Sequence, residues 1–143
     1  MINVLIQTAG GTSERRVYDE RTLEYKETRR GAHPYPYPYG FILGTRSEDG
    51  DCVDCYVITH APLEAGSIVE CEPVGLLEQH EGDEIDHKIL AALPGQAIEL
   101  DREVVETLRD FIYTIFANFP GLLKIGDLLP REKALEHIQE HLA

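Results

Sequence analysis

Residues 101–119 read D-R-E-V-V-E-T-L-R-D-F-I-Y-T-I-F-A-N-F, and their period decides the fold class. Val104, Val105, Leu108, Phe111, Ile112, Ile115, Phe116 and Phe119 follow the i, i+3/i+4, i+7 rule of a helix with one apolar face. Asp101 suits the N-cap, and Pro120-Gly121 supplies a stop. Nothing earlier in the chain has this period. Up to about residue 94 the apolar runs are short: Val4-Leu5-Ile6, Val53 to Thr59, Ser67 to Glu72, Lys88 to Leu93. Gly, Pro and acidic turns separate them, as they separate strands. A second helix is expected from near Pro130, with Leu135, Ile138 and Leu142 on one face. Strands first and helices after imply an α+β domain built on an antiparallel sheet or small barrel.

A chain of 143 residues, 43% hydrophobic and 27% charged, suits a single domain, 1–143, with its own core. No apolar run approaches the roughly 18 residues of a membrane span. The opening M-I-N-V-L-I-Q-T has no basic flank and reads as a first strand, so a cytoplasmic protein is expected. Three cysteines, an odd number, argue against a disulfide framework. The net charge of −13 disfavours nucleic acid and anionic membrane as partners. Any anionic ligand would need bound cations between itself and the protein.

Residues 48–56, E-D-G-D-C-V-D-C-Y, hold two candidate chemistries. Cys52 and Cys55 form C-x-x-C, but strand alternation puts them on opposite faces, so they cannot chelate together. The carboxylates fail as an EF-hand, because position 5 counted from Asp49 is Val53. A turn around Gly50 can still aim Asp49 and Asp51 into one space. Asp54 sits in the apolar run D-C-Y-V-I-T, where a carboxylate is costly unless it is paired or ligates metal. Oxygen-only ligands select a hard ion, Mg²⁺ or Mn²⁺.

Asp86 and Lys88 alternate with Ile85, His87 and Ile89 on an expected strand, so acid and cation share a face. They suit a salt bridge, or a metal ligand beside a phosphate-binding ammonium. Residues 35–40, Y-P-Y-P-Y-G, must be extended, since alternating prolines forbid helix. They make either an aromatic crossing over the core or a frame presenting the Tyr35 and Tyr39 hydroxyls.

Taken in order, Y-P-Y-P-Y-G-F-I, S-E-D-G-D-C-V-D, P-L-E-A-G-S-I-V-E-C-E-P-V-G-L-L and D-H-K-I-L-A-A-L-P resemble the soluble, Mg²⁺-dependent inorganic pyrophosphatases of the barrel type. That resemblance implies a five-stranded OB-like closed β-barrel with C-terminal helices packed on it. It implies hydrolysis of inorganic pyrophosphate to two phosphates with Mg²⁺ or Mn²⁺, in a homo-oligomer. Carried over by position, Asp49, Asp54 and Asp86 ligate metal, with Glu81 where an aspartate is usual. Asp51 takes the proton from the attacking water. Lys88, Arg29 and Tyr39 hold phosphate oxygens, with Arg15 and Tyr35 in support. Three departures stand out. Gln7 replaces an acid at the end of the first strand, Val17 replaces a glutamate on the next, and Phe119-Pro120 replaces a Tyr-Lys pair. They leave an alternative open: a metal- and phosphate-binding protein of weak activity, or one acting on another phosphoanhydride.

Overall fold

A computed structural model describes residues 1–119 and 121–143. Strand β1 (Ile2–Thr8) is flanked on both sides, so its residues 4–8 are buried. Next comes a hairpin of β2 (Glu14–Tyr18) and β3 (Tyr25–Arg30), which forms a sheet of its own. Then follow β4 (Tyr39–Ile42), β5 (Asp54–Val57), β6 (Ile68–Glu81), β7 (Glu84–Ile85) and β8 (Lys88–Ala92). Strand β1 pairs antiparallel with β4 and with β6. Strands β4 and β5 are antiparallel, β5 and β8 parallel, and β8 and β6 antiparallel. The path returns to its start and makes a ring of five strands, the OB-like arrangement expected. Closure leaves β1, β4, β5 and β8 without a free edge.

The β6 strand runs for fourteen residues, far past the end expected at Glu72. Its outer half lacks the clean alternation of a one-faced strand, because β8, β7 and β9 (Leu123–Pro130) all pair with it. Strand β9 was not foreseen; it follows the first helix and lies along β6. Gly40 is required by a close approach. A Cβ there would collide with the carbonyl oxygen of Leu5 on the neighbouring strand.

Apolar residues gather in two clusters. The first fills the ring with Val4, Ile6, Ile42, Val53, Cys55, Val57 and Ile89. The second lies under helix α1 (Arg102–Ile115), where Leu108, Phe111 and Ile112 meet Tyr37, Tyr39, Tyr56 and Leu90. Asp101 caps α1 as expected, its side chain accepting from the Val104 N–H at 3.0 Å. The apolar face outruns the helix, however. The helix stops at Ile115, and Phe119 is exposed in the turn beyond. Pro120, read as part of the stop, lies outside the described residues. Helix α2 (Arg131–Glu140) buries Ala134 and Ile138 against the ring. Leu135 and Leu142 are exposed, contrary to expectation. Leu135 follows Ala134 and so points about 100° away around the helix, and Leu142 lies past the helix end.

Candidate active site

The acidic turn is built by its own hydrogen bonds. The Ser47 N–H donates to the Asp51 carbonyl, and the Gly50 N–H to that of Ser47. Gly50 takes φ +91°, which a side chain resists. Asp49 Oδ1 accepts from Ser47 Oγ at 2.6 Å and from the Asp51 N–H at 2.9 Å. Asp51 is left exposed. Partial burial and the charges of Asp49, Asp54 and Asp86 raise its pKa, while Arg15 opposes them.

Strand pairing delivers the next groups. The parallel register sets Cys55 beside Ile89, so the preceding residues, Asp54 and Lys88, stand together where both strands begin. Lys88 Nζ donates to Asp54 at 2.6 Å, to Asp86 at 3.0 Å and to the Tyr39 hydroxyl at 3.4 Å. Its side chain is 7% exposed. Burial alone would lower its pKa, but Asp54, Tyr39 and Asp86 outweigh burial and hold it well above its usual value. Burial, then Asp54, also raises the Tyr39 phenol well above 10.0. Asp86 and His87 lie between β7 and β8 and not within one strand as expected. The Gln79 backbone holds both: its carbonyl accepts the Asp86 N–H, and its N–H donates to His87 Nδ1.

Six carboxylates, those of Glu20, Asp49, Asp51, Asp54, Glu81 and Asp86, line one cavity of about 220 Å³. Arg15 and Lys88 are the cations facing them there. Tyr35 and Tyr39 line it too, with ring centroids 5.3 Å apart, while Tyr35 packs on Phe111. The tyrosine stretch therefore does both jobs read from it, crossing the core and presenting hydroxyls. Arg29 is not brought to this cavity. It pairs with Glu27 at 2.7 Å and lines a neighbouring cavity of about 370 Å³ with Arg30, Arg15 and Tyr35. The thiols are absent from the site. Cys55 is buried inside the ring and Cys52 is half-buried, and burial pushes the Cys52 thiol up to about 12.

The donor chemistry of this lining suits a hard cation. Asp86, then burial, raises the Glu81 carboxyl, so the two acids crowd together as a pair. Such a pair is a site of excess negative charge made of hard oxygens, which fits Mg²⁺ or Mn²⁺. Among the described residues, no three such side chains yet converge on one point. The Lys88 ammonium stands between Asp54 and Asp86, where it provides the compensating charge.

Two lining residues escaped the sequence reading. Glu20 follows β2 in the turn D-E-R-T, and no strand parity places a turn residue. Gln79 was findable, since it lies two positions before Glu81 on β6 and alternation puts both on one face. It is 1% exposed, and its Oε1 has no hydrogen-bond partner among the described residues.

A family model described as inorganic pyrophosphatase matches residues 9–141. The inorganic pyrophosphatase of Nanoarchaeum equitans is 31% identical over 97% of this chain and 94% of its own. That of Aeropyrum pernix is 36% identical over 99% of this chain and 72% of its own. Among solved structures, an inorganic pyrophosphatase from Neisseria gonorrhoeae superposes with a TM-score of 0.88 at 23% identity. That superposition covers 98% of this chain and 88% of that one.

Proposed function

Because the chain belongs to the inorganic pyrophosphatase family, we propose that its acidic cavity hydrolyses inorganic pyrophosphate to two phosphates with the help of Mg²⁺ or Mn²⁺. One observation carries the reading: six carboxylates, two cations and three tyrosines line a single cavity in a chain of net charge −13. Bound divalent cations would neutralise the substrate and acidify its attacking water. Asp49, Asp54 and Asp86, with Glu81, are the residues to hold them. For Asp54 and Asp86 to do so, the Lys88 ammonium must move off the line between them.

The chain's own groups do the rest. Asp51 has a carboxylate uncommitted to Lys88 and receives the proton of the water. Lys88, once shifted, and Tyr39 beside it donate to phosphate oxygens and take up charge on the leaving phosphate. Arg15 has a buried Nε without a partner among the described residues, and that donor serves the second phosphate with Tyr35. Arg29 acts from the adjoining cavity. The same reading makes this a cytoplasmic, self-associating protein, and among the described residues no helix is long and apolar enough to cross a membrane.

A second reading keeps the site and changes the substrate. The adjoining arginine-lined cavity and the exposed Phe119 leave room for a phosphoanhydride larger than pyrophosphate. Phosphate release by chelator-treated protein decides between them. On restoring Mg²⁺ or Mn²⁺, pyrophosphate should be cleaved faster than nucleoside triphosphates or diphosphate esters. A preference for a larger substrate selects the second reading, and no release from any of them contradicts both.

A further inference from the structure

Alternation along β2 puts Val17 on the same face as Arg15, which lines the active-site cavity. The hairpin thus brings an apolar side chain where an acidic one would complete the ring of carboxylates. A bulge at Val17/Tyr18 then shifts the register, and the chain enters the turn to β3. Asp19 fixes that turn: its Oδ1 accepts the N–H groups of Arg21 and Thr22, each at 2.9 Å. The next side chain, Glu20, lines the cavity and is half-buried. Its Oε1 accepts the N–H of Cys52 at 2.6 Å, across 32 residues. That N–H belongs to the peptide joining Asp51 to Cys52. The Cys52 thiol lies against the same carboxylate, and no charged side chain pairs with it among the described residues.

We propose that Glu20 is the hairpin's own ligand to the divalent site, holding the Asp51–Cys52 peptide with one oxygen and reaching the cation or its water with the other. The inference rests on the metal-dependent reading above. It replaces a loss with a relocation: the carboxylate missing from β2 at position 17 is supplied from the turn at position 20. Geometry favours a ligand over a brace alone. A brace needs only one acceptor, whereas this carboxylate also lines the cavity that holds Asp49, Asp51 and Asp54.

The test is Mn²⁺ titration by calorimetry without substrate, on wild type, Glu20→Gln and Glu20→Ala, beside melting curves in chelator. Glu20→Gln keeps an acceptor for the Cys52 N–H and removes the charge. It should melt like wild type in chelator yet bind Mn²⁺ more weakly by about 10- to 100-fold. Equal Mn²⁺ affinity in Glu20→Gln and wild type would show a brace and overturn the inference. Moving the carboxylate back, as Val17→Glu within Glu20→Ala, should recover affinity; a double variant no tighter than Glu20→Ala also overturns it. Wild type that binds no Mn²⁺ sinks the metal-dependent reading itself, which is a separate outcome.

Discussion

The two sides of the cavity are held in opposite ways. On one side, Asp54, Asp86, Lys88 and Tyr39 stand at the ends of ring strands, and the Lys88 side chain is buried among them. On the other, Arg15 and Glu20 ride on a two-stranded hairpin outside the ring, whose β3 is exposed along its whole length. Few side-chain bonds tie the hairpin down. Gln7 Nε2 donates to the Arg16 carbonyl, Arg16 to the Ala65 carbonyl, and Glu20 accepts from Cys52. The ring side is thus set by folding itself, since its charges would be unstable apart. The hairpin side rests on a few bonds from outside the ring, and there Val17 departs from the family pattern.

Breaking the ring side should produce the largest loss of stability. Lys88→Met leaves Asp54 and Asp86 partly buried without their shared cation. Removing one partner of a buried ion pair typically costs about 3–5 kcal/mol; partial exposure of both carboxylates places the expectation at the lower end. Urea unfolding in chelator checks it, and millimolar Mg²⁺ should restore part of the loss by occupying the same charge gap. Breaking the hairpin side should matter less. Gln7→Leu removes the bond to the Arg16 carbonyl and should cost about 1 kcal/mol. Its effect should show in hydrogen exchange as faster opening of residues 14–30 with the ring unaffected.

A third region sharpens the contrast. On α2, His137 lies between His87 and His141, with ring centroids 5.5 and 4.3 Å away. Burial, then the neighbouring His141 and His87, pushes it down to about 4. A base whose folded pKa is below its unfolded value of about 6.5 leaves stability intact above that pH. Stability is lost as pH falls from about 6.5 toward 4. Half-exposure limits the effect to under about 1 kcal/mol at pH 5. His137→Gln should flatten this part of the stability profile, measured by denaturant titration between pH 7 and 5.

Legibility in the sequence followed the same divide. Asp54 and Lys88 could be placed in advance because strand alternation and a charge in an apolar run both point to one buried face, whereas Asp86 lies just before β8 and is held by the Gln79 carbonyl. The Asp49-Gly50-Asp51 turn was readable because a glycine between two aspartates marks a tight turn, and Gly50 takes the φ of +91° that glycine tolerates. Helix α1 was readable from its period and its Asp101 cap, although not its end, since Phe119 continues the pattern past the last turn. The hairpin was not readable to the same depth. Strand β3 is exposed on both faces, so no alternation fixes which of its side chains turns inward. A bulge at Val17/Tyr18 shifts the register, and the turn that follows brings Glu20 to the cavity. Arg29, on β3, lines the neighbouring cavity with Arg15 and Tyr35, a position that the pattern of its own strand does not give. Strand β9 and the outer half of β6 were missed because pairing partners, not local pattern, define them.

The central claim is that this cavity performs chemistry through Asp51 while its other carboxylates hold cations. Asp51→Asn tests it most directly, because it keeps the shape of the side chain and removes the base. The measurement is kcat on pyrophosphate at saturating Mg²⁺, beside Mn²⁺ affinity of the same protein by calorimetry. The account predicts that kcat falls by about 10²- to 10⁴-fold while Mn²⁺ affinity changes far less. An Asp51→Asn variant that turns over like wild type, or one that loses cation binding and activity in the same proportion, would contradict it.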